Sequence, residues 1–268
     1  MGSPPEFPSE AFTPQPEGPG PLTPTPPTIP PLENPPWDGW DALRIGLIMF
    51  VVPYLLIPVA VVAAQKLFYR SLPWMEVAKK PWISLTTQFG WYVLVFFYMV
   101  IFVEGTYRQR FWEAIRWDWP RRKWSWLIAL GVVLVSFQTL ERFFHLPKHI
   151  PMEDFLSTPL AAILTASFAV SFGPFMEELY FRGFLYPVLA RRLGLLSAVL
   201  ITSVAFGLIH GAQLAFSPGL VLVVFLVGLV LTIVRAVTRS VGSSFVVHVA
   251  YNSTLVLMGI IATRHGLK

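Results

Sequence analysis

With 268 residues, of which 54% are hydrophobic and only 13% charged, and a mean hydropathy of +0.60, the chain is too apolar for a water-soluble domain of its length. The formal charge of +5 does not point to nucleic acid, because the Lys and Arg residues are spread between long apolar runs rather than gathered on one face. The absence of Cys excludes disulfides, thiolate catalysis and Cys-ligated metal centres.

In chain order, residues 1–37 read as a disordered, Pro-rich tail: fourteen of the 25 prolines fall before Trp37, and neither a helix nor a sheet interior accepts that density. No basic n-region precedes the first apolar run, so no cleavable signal peptide is expected. Residues 38–268 read as a helical membrane domain. Apolar runs of bilayer-crossing length are expected near Ile45–Gln65, Ile83–Val103, Trp124–Leu140, Pro159–Met176, Leu195–Phe216, Gly219–Val237 and Val241–Ala262. They are expected to be helices, since barrel strands would be shorter and would alternate polar with apolar. Trp74, Trp82, Tyr107, Trp117, Trp119, Trp124 and Trp126 at the run ends fit interfacial belts.

After the Gly173-Pro174 break comes an amphipathic stretch, Glu177–Arg192, which reads equally as a continuation of the fourth span, an eighth short span or a re-entrant helix. The fold class is therefore all-α, a polytopic bundle of seven or eight transmembrane helices. Taking seven spans, twelve Lys and Arg fall on the side of the N-tail and the even-numbered connections against eight on the other, which places the N-terminus in the cytoplasm. In a bacterium such a protein sits in the cell membrane, with lipid as its constant partner.

A charge at a bilayer centre costs about 2.5 to 3.5 kcal/mol on insertion scales, so an ionisable residue inside these runs needs a buried partner or a task. Three places stand out. In Glu177-Glu178-Leu179-Tyr180-Phe181-Arg182, Glu178 and Arg182 share a helix face and are expected to pair, while Glu177 points about a quarter-turn away and is free to act as a general base. His210, four residues after Phe206, is flanked by Gly207 and Gly211, which allow a neighbouring helix to approach closely. His248 and Asn252 lie on one face of the last span. Each pair alone reads as readily as interhelical packing; together they supply a base, a partner for water and neutral hydrogen-bond donors within 76 residues. Glu141, His145 and His149 imitate a metal-binding helix face, but Pro147 interrupts it and an interfacial loop is the better reading.

Glu177-Glu178-x-x-x-Arg182, Phe206-x-x-x-His210 and His248-x-x-x-Asn252, in that order, resemble the motifs of the CPBP family, the CAAX proteases and bacteriocin-processing (Abi) enzymes. The resemblance covers about residues 155–262. It implies a glutamate-dependent intramembrane endopeptidase acting on a membrane-embedded peptide or a prenylated protein. On that resemblance Glu177 and His210 activate water, and His248 and Asn252 stabilise the oxyanion. Glu178, Arg182 and Phe206 support them. Two His and one carboxylate would suffice for a catalytic zinc, but the spacing is not His-Glu-x-x-His, so neither a metal nor another cofactor is expected. The competing reading is a non-catalytic scaffold or transporter that uses the same buried polar groups for packing or proton passage; residues 45–140 lack the repeat that would favour a transporter.

Overall fold

The computed structural model describes residues 1–2, 33–120, 123–156 and 158–264. The Pro-rich segment therefore lies, over residues 3–32, outside the described residues. Among those described, every regular element is helical and no strand occurs. The α-helices are α1 (Gly39–Phe50), α2 (Val52–Phe68), α3 (Trp74–Ala78), α4 (Pro81–Tyr107), α5 (Phe111–Ala114), α6 (Trp124–Leu134), α7 (Pro151–Asp154), α8 (Pro159–Val170), α9 (Phe172–Glu178), α10 (Tyr186–Leu193), α11 (Leu195–Ile209), α12 (Pro218–Thr238) and α13 (Val241–Arg264). A 3₁₀ stretch, Val135–Phe143, prolongs α6, and a π-helical turn, Leu179–Leu185, joins α9 to α10.

Among the described residues, six helical runs are long and apolar enough to cross a membrane: Gly39–Phe68, Pro81–Tyr107, Trp124–Phe143, Pro159–Leu193, Pro218–Thr238 and Val241–Ala262. The expected count of seven or eight is not confirmed, for two reasons. Glu177–Arg192 forms no span of its own, because the π-turn carries the fourth run straight through it to Leu193. The expected fifth span, Leu195–Phe216, is α-helical only to Ile209, with a 3₁₀ turn at Ala212–Leu214; at about 1.5 Å per residue the 15 α-helical residues reach roughly 22 Å, short of a ~30 Å hydrocarbon core. Leu47, Leu55, Val59, Leu94, Ile101, Leu196 and Leu208 face outward, as an integral multi-pass membrane protein requires.

One end of the bundle is organised around the start of α1. Asp38 caps that helix, accepting from Trp40 N and Asp41 N, while Asp41 returns the contact to Asp38 N. These backbone donors stabilise the ionised form of Asp38 and lower its pKa. Residues 33–37, on the tail side of the boundary expected at residue 37, are packed into this end. Trp37 is fully buried, stacks 4.5 Å from Phe184 and donates its Nε1–H to the Phe184 carbonyl at 3.1 Å. Arg191 donates to Pro35 O and Trp37 O at 2.6 and 2.9 Å. The 115–118 turn meets the start of α13 at the same end through Val241 N to Arg116 O at 3.0 Å.

Close helix contact is set by small residues where lipid offers no hydrophobic drive between helices. At Gly131 on α6, a Cβ would stand 2.5 Å from the Val247 carbonyl and 2.6 Å from Ala250 Cβ of α13. The obstacle is largely backbone and cannot rotate away. Gly131→Ala is expected to cost about 1 to 3 kcal/mol by overpacking, and a lower thermal midpoint in detergent would register it.

Candidate functional site

The first of the three polar motifs follows a break in the chain. At Ser171 the backbone leaves helical geometry (φ −133°, ψ −89°) between α8 and α9, just before Gly173 and Pro174, whose missing N–H cannot continue the ladder. The Ala169 carbonyl near this break accepts from Asn252 Nδ2 at 2.7 Å, so α13 is tied to the break by the residue expected at the site. Immediately beyond, α9 ends in Glu177 and Glu178.

Glu178 and Arg182 are fully buried, and the pairing expected from their spacing is formed, with Arg182 Nη1 2.9 Å from Glu178 Oε1. A buried carboxylate needs its lone pairs filled. Ser244 Oγ donates to Glu178 Oε2 at 2.6 Å, and His248 Nδ1 lies 2.9 Å from Oε1. Arg182 Nη2 donates to the Gly228 carbonyl at 2.8 Å, and its guanidinium lies 4.5 Å over the Phe206 ring. Gly228 is required there, since a Cβ would stand 2.8 Å from Phe206 Cδ1. Phe206 thus connects the cluster: its ring is 4.9 Å from His210 and 5.8 Å from His248.

Glu177 takes no part in that ion pair. Its side chain is 17% exposed and lies between the two imidazoles, with Oε1 3.9 Å from His210 Nε2 and Oε2 3.8 Å from His248 Nε2. Both separations exceed a direct hydrogen bond and suit a bridging water. The ring protons follow from the other nitrogens. His210 Nδ1 lies 2.8 Å from the Phe206 carbonyl, which can only accept, so Nδ1 carries the proton and Nε2 presents a lone pair toward Glu177. His248 Nδ1–H likewise donates to Glu178 Oε1.

Of the residues expected here, Glu177, Glu178, Arg182, Phe206, His210 and His248 come together, and Asn252 lies one turn beyond His248 against Ala169. Ser244 is the member the sequence reading missed. It lies four residues before His248, as Asn252 lies four after, so the same i, i+4 spacing carried the signal. The Glu141, His145, His149 set stays apart: Glu141 is in the 3₁₀ stretch, and exposed His149 pairs with Glu153 Oε2 at 2.9 Å and Asp154 Oδ1 at 3.4 Å. The Glu153 hydrogen bond raises the His149 pKa. Among the described residues no group of three His, Asp or Glu side chains is arranged to hold a metal ion.

Residues 158–254 match the family model described as Type II CAAX prenyl endopeptidase Rce1-like. No curated protein and no solved structure matches the chain. The matched stretch contains all three motifs in order and every side chain around Glu177 described above, and it supports placing the chain in the CPBP/CAAX protease family.

Proposed function

We propose that the chain is a glutamate-dependent endopeptidase that hydrolyses a peptide bond of a prenylated, CAAX-type substrate at the membrane. The observation that carries this reading is the placement of a carboxylate, Glu177, between two imidazole nitrogens at 3.8 and 3.9 Å in a mostly buried pocket. Water bridging Glu177 Oε1 and His210 Nε2 meets two acceptors. As its oxygen attacks the substrate carbonyl, one proton passes to Glu177 and the other stays directed at His210. The carbonyl π electrons move onto oxygen. When the tetrahedral intermediate collapses, the C–N bond breaks and the leaving nitrogen takes the proton back from Glu177.

The oxyanion then needs donors. Because His248 Nδ1–H is already directed at Glu178, a neutral ring has only a lone pair at Nε2. The donor to the oxyanion is therefore the doubly protonated ring, balanced by Glu178, in place of the neutral N–H expected from the sequence. Asn252 has one Nδ2–H directed at Ala169 O and a second left to assist. The reaction proceeds without a metal, and the N-terminal end of the bundle faces the cytoplasm. A scaffold or transporter role for the same residues is not favoured, since the matching family model describes an endopeptidase.

Purified protein is expected to release the C-terminal tripeptide from a fluorogenic prenylated CAAX peptide, to leave the unprenylated peptide intact, and to be insensitive to 1,10-phenanthroline. Failure to cleave any prenylated peptide would sink the proposal. Inhibition by the chelator that is reversed by zinc would overturn its metal-free chemistry.

A further inference from the structure

Beside the reacting groups lies a second buried ion pair that the mechanism above leaves unused. Glu33 and Arg235 are 2% and 1% exposed. Arg235 grips the carboxylate with both terminal nitrogens, Nη1 to Oε1 at 2.8 Å and Nη2 to Oε2 at 3.3 Å, and Arg116 Nη1 adds a contact to Oε1 at 3.2 Å. The third guanidinium nitrogen, Arg235 Nε, donates to the Arg182 carbonyl at 3.2 Å. Two charges this deep are costly to desolvate and need a reason to be retained.

The π-turn supplies one. In its i to i+5 pattern the Arg182 carbonyl would accept from residue 187, which is proline and has no N–H. Arg235 Nε fills that place. Glu33 fixes the plane of the guanidinium so that Nε faces the turn, and a planar fork is what allows one side chain to serve both. The segment carrying Glu33 is fastened to the same turn again by Trp37 Nε1 on the Phe184 carbonyl.

We propose that Glu33 and Arg235 are positioning residues of the site. By holding the Arg182 backbone they set where its side chain meets Glu178, and through Glu178 they orient the His248 ring, without touching substrate. This rests on the proposed function, and it gives a residue outside the matched stretch 158–254 a part in the chemistry. A pair that merely stabilises the bundle would instead be replaceable by neutral side chains of similar size with no loss of turnover.

Glu33→Ala alone would leave Arg235 as an uncompensated buried cation and is liable to unfold the protein. The informative variant is the double substitution Glu33→Gln with Arg235→Met, which removes both charges together. It is expected to remain folded, with KM for the prenylated peptide unchanged and kcat lower by roughly 10- to 100-fold, the size of effect a small misplacement of reacting groups produces. In ¹⁵N-histidine-labelled protein, the His248 Nδ1–H resonance is expected to move while that of His210 stays. A folded double variant with wild-type kcat and an unmoved His248 resonance would overturn the proposal. Should the wild type cleave no prenylated peptide, the proposed function fails, and the His248 resonance still decides whether the pair positions the ring.

Discussion

Glu177→Gln is expected to lower kcat by roughly 10² to 10⁴-fold, the usual contribution of a positioned general base, with KM little changed. The amide has the volume of the carboxylate and keeps the packing at the end of α9. It cannot take a proton from water between it and His210. The adjacent carboxylate offers no replacement, because Glu178 is filled by Arg182, Ser244 and His248. His210→Ala should cost an effect of similar order by removing the second acceptor. Because the two residues act on one water, the double variant should lose little more than either alone. Steady-state cleavage of a prenylated fluorogenic peptide measures all three. If Glu177→Gln kept most of the wild-type rate, Glu177 would not be the base.

The largest effect on stability is expected at Arg182. Arg182→Leu removes one member of a fully buried pair, leaving the Glu178 carboxylate without its cation and the Gly228 carbonyl without its donor. Breaking such a pair costs about 3 to 5 kcal/mol. For a chain of this size 1 kcal/mol moves the thermal midpoint by about 2 to 4 °C, so unfolding in detergent should begin on the order of 10 °C lower. Arg182→Lys should recover only part of the loss, because an ammonium cannot donate to Glu178 and Gly228 in one plane or spread over the Phe206 ring as a guanidinium does. An unchanged midpoint in Arg182→Leu would mean that the pair contributes nothing net to the fold.

The glycines show why these energies are specific to place. At Gly46 an added Cβ would stand 2.1 Å from the Tyr180 hydroxyl, the end of a side chain, whereas at Gly131 it meets the α13 backbone. Both occupy apolar helices, and only the second meets the backbone of another helix.

The all-helical, multi-pass character of the chain was legible in the residues alone, because the transfer cost of peptide groups into lipid leaves apolar runs little choice but a helix. The pairing of Glu178 with Arg182 and the shared face of His248 and Asn252 were legible too, since spacing along one helix decides which side chains are neighbours. Spacing carries no such information between helices. That Glu177 would lie between His210 and His248, that His248 Nδ1 would be spent on Glu178, and that Glu33 would cross to Arg235 all depend on how separate segments pack. The π-turn was equally hidden, because it arises where Pro187 interrupts the ladder and distant groups, Arg235 and Trp37, take up the backbone carbonyls left over.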